Sequence, residues 1–180
     1  MYLNQKDFDK QHYRELLIYA QDLKKRTGKL NEMPEDERYQ LRKYSAMLET
    51  ELEWQMKETY VDLMAKFLNG EISESNFKID VILLQKSQEE VHKNLEANLV
   101  LLSPSMDPSW NNVTALIYDL GQSVKEFEIE SSFSLKELME LMEQGKYTEA
   151  QIQKRLRNYE VVKEIYSELQ IYLNDQEISE

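Results

Sequence analysis

The sequence predicts an all-α fold, a helical bundle of five to six helices with one long helix near the N-terminus. Apolar residues recur at intervals of three, four and seven, which is the spacing of a buried helix face. Only four Gly and three Pro interrupt the 180 residues, and an all-β fold with many tight turns would need more of both. With 41% hydrophobic and 31% charged residues, the chain can form both a core and a charged surface.

The most apolar stretch runs from Ser73 to Leu102 and predicts the helix around which the others pack. Several of its apolar residues fall on one face, while Leu83 and its neighbours widen the stripe. The residues of the predicted stripe are Phe77, Val81, Leu84, Val91, Leu95, Leu99 and Leu102. A helix with so much apolar surface needs partner helices on more than one side.

The N-terminal region predicts one helix from Asn4, as its N-cap, to Arg26, ended by Gly28. A second predicted helix begins at Pro34 and meets no helix-breaking residue before Gly70. At 1.5 Å per residue this helix would be roughly 50 Å long. It either bends near residues 59–60 or projects together with the N-terminal helix as an arm.

The C-terminal half predicts an irregular segment over residues 103–112, followed by helices over 113–128, 134–145 and 148–174. Gly121 interrupts the first of these, which indicates a close approach of another helix. The sequence predicts three parts. The first is an N-terminal helix and linker over residues 1–33, either docked or projecting. It is followed by a helical bundle over 34–174 and a frayed tail over 175–180.

Charge is unevenly distributed along the chain, whose net charge is −12. Residues 1–60 hold 11 basic and 12 acidic side chains, whereas residues 61–180 hold 11 basic and 22 acidic side chains. An acidic surface repels nucleic-acid phosphates and attracts basic partners. It can also serve only to keep a helical protein in solution.

Residues with catalytic or metal-binding patterns are scarce. There is no Cys, no glycine-rich phosphate loop and no nucleophile motif. Glu89 and His92 form one E-x-x-H pair, whereas di-iron bundles need two such pairs and two further Glu ligands. We therefore expect no enzyme activity, no cofactor and no metal. Buried carboxylates that converge on His92 would reopen the enzyme interpretation.

A partner-binding role is expected for two aromatic and three acidic residues. Trp110 lies in the irregular segment and could contact a partner or cap the open end of the core. The residues of this hypothesis are Trp54, Trp110, Glu126, Glu128 and Glu130. Core or rim positions for the tryptophans, and a solvated edge for the glutamates, are the simpler alternatives.

Nucleic-acid binding is the alternative function, and it would use two basic clusters. The first spans Lys24 to Lys29, although cations are also favoured at the C-terminus of any helix. The second consists of Lys154, Arg155 and Arg157. Either cluster would have to overcome the negative charge of the rest of the chain.

The segment Tyr60–Phe77, Y-V-D-L-M-A-K-F-L-N-G-E-I-S-E-S-N-F, is similar to small bacterial proteins grouped as colicin-immunity-like. The segments Asn94–Pro104 and Asn112–Leu120 resemble uncharacterised reading frames of green-algal plastids. The shared pattern consists of helix and turn signals rather than catalytic residues. The first resemblance implies an acidic protein that masks a toxin.

Together these features predict a non-catalytic, acidic helical module for protein–protein interaction. Its partner would be another, basic protein, and the module could be an inhibitor that masks a basic surface. The long helix could also pair in a homodimer. No apolar run is long enough for a membrane helix. Without Cys and without an apolar N-terminal segment, we expect a soluble protein of a reducing compartment, the cytoplasm or the plastid stroma.

Overall fold

The computed structural model describes residues 3–127, 135–146 and 148–174, and all regular structure in these ranges is helical. The all-α prediction is thereby confirmed, although the expected five to six helices are one or two too few. The seven α-helices in the described ranges are α1 (Lys10–Thr27), α2 (Glu35–Gln55), α3 (Lys57–Leu68), α4 (Glu74–Ala97), α5 (Trp110–Glu126), α6 (Leu135–Glu143) and α7 (Glu149–Asn174). None of the described helices combines the length and the apolarity needed to cross a membrane.

The start of α1 differs from the sequence expectation. Asn4 caps a short 3-10 turn, Gln5–Asp7, and its side chain accepts a hydrogen bond from the Lys6 N–H. The N-cap of α1 is Asp9, whose carboxylate accepts from the His12 N–H at 2.9 Å. The side chains of Asn4 and Asp9 can each accept a hydrogen bond from a free backbone N–H of a first turn. The α-helix therefore begins after Asp9, later than predicted, and Asn4 caps the short turn before it.

Helix α1 ends where the sequence predicts, at Gly28. This residue has a φ of 72°, and its N–H donates to the carbonyl of Lys24 at 3.0 Å. A left-handed conformation of this kind costs glycine little because it has no Cβ.

The long helix that the sequence predicts over residues 34–68 is interrupted at Met56. This residue has φ −98° and ψ 6° and separates α2 from α3. The break lies a few residues before the predicted bend at 59–60, and neither Gly nor Pro marks it. It coincides with the boundary between two compact units, because Gln55 belongs to one unit and Met56 to the other.

These two units each combine two segments of the chain. Unit 1 comprises Met1–Gln55 and Ser87–Asn111, and unit 2 comprises Met56–Lys86 and Asn112–Glu180. The predicted boundary at residues 33 and 34 does not coincide with this division. Helix α1 packs against α2 within unit 1, so the N-terminal helix is docked rather than projecting. The predicted frayed tail over 175–180 lies outside the described residues.

Unit 1 has an aromatic cluster at the centre of its core. Phe8 packs edge-on against Tyr13 and Tyr44, with ring centroids 6.0 and 5.6 Å apart. Edge-to-face geometry places the positive ring edge against the negative face. The buried residues of this core are Tyr13, Leu16, Leu17, Ala20, Leu23, Met33, Tyr44, Met47, Leu48 and Leu101.

Unit 2 has its own core, in which α3 and α6 pack against α7. The rings of Phe67 and Phe77 stack with centroids 4.6 Å apart. Its fully buried side chains include Tyr60, Met64, Phe77, Val81, Val113, Ile117, Leu120, Val124, Val162 and Leu169. Each such side chain contributes about 1.5–3 kcal/mol through burial when large and apolar.

Helix α4 ends five residues earlier than the predicted limit of Leu102. Leu99 has a φ of 56°, the Leu99 N–H donates to the Glu96 carbonyl, and the Val100 N–H donates to the Leu95 carbonyl at 2.9 Å. These bonds form a Schellman motif, with leucine in the place that glycine usually takes. The chain therefore turns away before the last apolar residues of the predicted stripe.

The predicted apolar stripe of α4 is also not buried throughout. Phe77 and Val81 are fully buried in unit 2, but Leu83 is 57% exposed and Val91 is 44% exposed. Helix α4 passes from one unit to the other between residues 86 and 87. Since the first and last parts of the helix belong to different units, a single continuous stripe does not describe the burial.

Candidate functional site

A half-buried polar cluster in unit 1 is centred on the carboxylate of Glu96, whose side chain is 25% exposed. Its Oε1 accepts hydrogen bonds from the hydroxyls of Tyr13 and Ser45, the latter at 2.7 Å. Nε2 of His92 lies 3.4 Å from the same oxygen and 3.2 Å from Oγ of Ser45. Four side chains from three helices thus meet at one carboxylate oxygen.

The four residues of the cluster come from three helices, and each lies on the face of its helix that is turned towards the other two. His92 and Glu96 are four residues apart on α4, and so they lie on one face. Tyr13, from α1, is fully buried, and Ser45 comes from α2. His92 stood out in the sequence, but Tyr13 and Ser45 did not, because they are distant from it along the chain. For Glu96, the four-residue spacing from His92 was the one available signal.

The cluster shifts the protonation equilibria of its members. Burial acts most strongly on the Glu96 carboxyl and raises its pKa, but hydrogen bonds from His92, Tyr13 and Ser45 together lower the pKa to about 2. The hydrogen bond to Glu96 raises the pKa of His92 against the opposing effect of burial. Burial, followed by the hydrogen bond to Glu96, raises the pKa of Tyr13 far above its ordinary value.

The arrangement differs from that of a nucleophilic triad. In a triad the serine and the carboxylate lie at opposite ring nitrogens of the histidine, so that the ring can relay a proton. Here Ser45 and Glu96 both lie at Nε2 of His92, and the serine hydroxyl donates to the carboxylate. This geometry suits a fixed cross-link between α1, α2 and α4 better than proton transfer.

The E-x-x-H pair is not brought together as a metal site. Glu89 is exposed and forms an ion pair with Lys93 at 2.7 Å, whereas the ring of His92 is engaged with Glu96. Within residues 3–127, 135–146 and 148–174, no group of three His, Asp or Glu side chains could hold a metal ion.

Glu53 in α2 is a second carboxyl with a strongly shifted pKa. Burial, and to a lesser degree the charge of Glu49, raises its pKa to about 8. A carboxyl with such a pKa is mostly protonated at neutral pH and can donate a hydrogen bond. The negative charge of unit 1 at neutral pH is reduced accordingly.

The two tryptophans of the partner-binding hypothesis are in the interior. Trp110 is fully buried in unit 1, and its indole N–H donates to Oε2 of Glu51 at 3.0 Å. Trp54 is only 8% exposed. These positions correspond to the alternative core interpretation of both residues. Their large rings fill the core instead of lying on the surface.

Of the three glutamates in the partner-binding hypothesis, one lies within the described residues. Glu126 is exposed in the last turn of α5. Glu128 and Glu130 lie outside the described residues, so their positions are not described. The acidic edge that the sequence suggested is therefore represented here by Glu126.

Two cations of unit 2 are engaged internally. The Lys78 ammonium donates to the carbonyls of Lys125 and Phe127 at 3.1 and 2.6 Å. Nε of Arg155 lies 3.4 Å from Oε2 of Glu74, and both side chains are less than 10% exposed. Of the predicted basic cluster around residue 155, the arginine itself is thus buried in an ion pair. The Arg155 charge is paired with that of Glu74, and so this pair contributes little to the surface potential.

The described surface of unit 2 is consequently acidic. Eleven carboxylate residues are exposed, against five exposed cations. We call the eleven the acidic surface of unit 2: Glu58, Asp62, Glu71, Asp119, Glu126, Glu137, Glu140, Glu143, Glu160, Glu164 and Glu168. Three of them, Glu160, Glu164 and Glu168, follow one another at four-residue spacing along α7.

Comparison with protein-family models, with curated proteins and with solved structures finds no match to the chain. The resemblance to colicin-immunity-like proteins and to plastid reading frames therefore stays an expectation from the sequence. The function of the chain is therefore inferred from its residues and their contacts.

Proposed function

We propose that the chain is a non-catalytic protein-binding module whose acidic surface of unit 2 binds a basic partner protein. One observation carries this proposal: exposed carboxylates outnumber exposed cations eleven to five in the described part of unit 2. Arg155 adds nothing to either side of this count, because it is paired in the interior with Glu74, which is also buried.

Such a surface would act first through long-range attraction. The electrostatic field of an acidic surface raises the association rate of a positively charged protein. Salt screens this field, with a Debye length of about 8 Å at physiological ionic strength. Binding by this surface should therefore weaken steeply with salt.

The exposed face of α7 supports a more local contact. Glu160, Glu164 and Glu168 share this face with Ile171, which is 59% exposed. An apolar side chain beside several carboxylates suits a partner whose basic residues surround an apolar one. The sharper form of the proposal is an inhibitor that covers the nucleic-acid-binding surface of a basic enzyme.

Direct nucleic-acid binding has less support. Arg155 pairs with Glu74 in the interior, and this leaves Arg157 as the exposed arginine of the second basic cluster. Phosphates would also meet the repulsion of the acidic surface of unit 2.

The test is affinity capture from the source extract at low and at high salt, with proteins identified by mass spectrometry. The wild-type chain is compared with the charge-reversed variant E160K/E164K/E168K. A matched control, E15K/E32K/E90K, makes the same change of charge at exposed positions of unit 1. Circular dichroism verifies that all three chains are equally folded.

We expect a basic protein to be captured at low salt by the wild type and the control, but not by the α7 variant. The purified pair should then show a Kd that rises with salt. Capture that depends on RNA would favour the nucleic-acid alternative, and equal capture by both variants would remove α7 from the interface. Absence of any specific partner at either salt concentration would contradict the proposal.

A further inference from the structure

Unit 1 contains a cavity of about 390 Å³ lined by residues of α1, α2 and α4. This volume falls within the range of roughly 300–1,000 Å³ that is typical of small-molecule sites. The cavity belongs wholly to unit 1, whereas the acidic surface belongs to unit 2. Its function is therefore separable from the proposed binding of a basic protein.

The interior wall of the cavity is apolar. Leu17 and Ala20 of α1 are buried, and Leu41 of α2 is half-buried beside them. Leu30, which also lines the cavity, is 43% exposed although it is a large aliphatic residue. A hydrocarbon chain would remove the remaining exposed surface of Leu30 and Leu41 from water, which is favourable at about 25 cal/mol for each Å².

Three cationic side chains line the same cavity and are exposed: Lys24, Arg42 and Lys93. Lys93 pairs with Glu89, but in the described ranges neither Lys24 nor Arg42 forms an ion pair. In a chain of net charge −12, a group of three cations at one cavity is a local reversal of sign. It predicts a ligand with a negative end.

Glu96 is the one carboxylate that lines the cavity. Its Oε1 accepts from Tyr13 and Ser45 and lies 3.4 Å from Nε2 of His92. Its charge is cancelled within the cluster only when His92 is protonated. In either protonation state, Lys24, Arg42 and Lys93 outnumber this one carboxylate among the described lining residues, and so they determine the sign of the cavity.

We propose that this cavity binds a medium-chain carboxylic acid, with the hydrocarbon chain against Leu17, Ala20 and Leu41 and the carboxylate at Arg42 and Lys24. The planar guanidinium of Arg42 can donate two parallel hydrogen bonds to a carboxylate, and the Lys24 ammonium adds a second positive charge. The apolar wall requires a hydrocarbon tail, and the volume limits its length.

Calorimetric titration with three probes of equal chain length tests the ligand class. Decanoate, decanol and decyltrimethylammonium are each titrated below the concentration at which they form micelles. We expect decanoate to bind most tightly and with an affinity that falls as salt rises. Equal binding of decanol, preference for the cationic probe, or failure of decanoate to bind would overturn the proposal.

Two charge-reversed variants locate the site. K24E/R42E changes cavity residues, and R14E/K25E makes the same change on exposed positions of α1 that do not line the cavity. Replacing two cations by two carboxylates should weaken decanoate binding by about tenfold or more, because attraction becomes repulsion. The control variant should bind like the wild type. Equal weakening in both would show that decanoate responds to net charge only.

A third variant tests the apolar part without a change of charge. Ala97 lines the cavity and is exposed, so Ala97→Leu places a larger side chain at its edge without entering the core. We expect weaker binding of decanoate at an unchanged Tm. Amide chemical shifts of residues 21, 24 and 45 should move on titration of the wild type. Shifts confined to other regions would refute the assigned location.

Discussion

The indole N–H of Trp110 donates to Oε2 of Glu51 at 3.0 Å, which joins a fully buried aromatic ring to a carboxylate that is 5% exposed. The same oxygen accepts from the Ser105 N–H at 2.7 Å, and the other oxygen accepts from the side chain of Gln55 at 3.0 Å. Glu51 thus accepts hydrogen bonds from Ser105 in the irregular segment, from Trp110 at the start of α5 and from Gln55 of α2. The Trp110 ring has the core position that the sequence left open as the alternative to partner contact.

Glu51→Ala should destabilise unit 1 by about 2–4 kcal/mol, because it leaves the buried N–H groups of Trp110 and Ser105 without an acceptor. Urea unfolding followed by tryptophan fluorescence measures the loss. The matched control Glu90→Ala, at an exposed position, should change the free energy of unfolding by less than about 0.5 kcal/mol. Equal effects of the two substitutions would show that the Glu51 contacts contribute little.

The Glu96 cluster predicts a stability maximum in mildly acidic solution. Folding lowers the pKa of Glu96 from 4.5 to about 2, so its contribution is present above pH 4.5 and is lost as pH falls towards 2. Folding raises the pKa of His92 from 6.5, so its contribution is present below pH 6.5 and is lost as pH rises through the folded pKa. The Glu96 shift corresponds to about 3 kcal/mol.

Glu96→Gln should remove the acid limb and the part of the upper limb that His92 causes, since it removes the carboxyl that titrates and the charge that His92 pairs with. The fall in stability with rising pH that Glu53 causes, through its raised folded pKa of about 8, should remain. Urea unfolding between pH 3 and pH 8 measures the profile. Glu89→Gln is the control on the same helix, because its ion pair with Lys93 is exposed on both sides and contributes little. If Glu96→Gln still loses stability as the pH falls, other carboxyls cause that loss.

The buried Gly121 of α5 and Gln85 of α4 are in close contact in unit 2. A Cβ at residue 121 would lie 1.9 Å from Nε2 and 2.9 Å from Cδ of Gln85. Gly121→Ala should therefore gain less than the roughly 1 kcal/mol that alanine gains over glycine in a helix, because the flexible end of the Gln85 side chain has to move. The neighbour of Gly121 is this side-chain end, and not the backbone of another helix that the sequence prediction of a close helix approach would place there.

Thermal or urea unfolding of Gly121→Ala, Gln85→Ala and the double variant gives the coupling between these two positions. In the Gln85→Ala background, Gly121→Ala should be more stabilising than in the wild type, because the obstructing amide is gone. An equal effect in both backgrounds would contradict a steric conflict between the two residues.

Leu99 has a left-handed backbone conformation. At this position we expect glycine to give a more stable protein than alanine, which is the reverse of their usual order in a helix. Leu99→Gly and Leu99→Ala both remove the half-buried side chain, but only glycine relieves the φ of 56°. Leu99→Gly should thus be more stable than Leu99→Ala by about 1 kcal/mol. In the last turn of α4, Ala97→Gly should have the opposite sign and cost about 0.5–1 kcal/mol. Denaturant midpoints of the four chains measure both differences.

Local signals in the sequence were sufficient for the helical class and for most helix ends. Apolar spacing of three and four residues located the helices, and glycines at positions 28 and 70 adopt positive φ at the predicted ends. These features depend on neighbours a few residues away, and so they can be read without the fold. The exceptions are Met56 and Leu99, where the helix ends without the Gly or Pro that would mark it in the sequence.

What the sequence by itself determined is therefore the set of helices, their approximate limits and the excess of negative charge. Tertiary structure alone decided the division into two units, the burial of Trp110, and the meeting of Tyr13, Ser45 and His92 at Glu96. It also decided which charges stay in solvent, since Arg155 pairs with Glu74 far along the chain. The physical reason is that burial and pairing join residues distant in sequence, whereas helix formation needs only near neighbours.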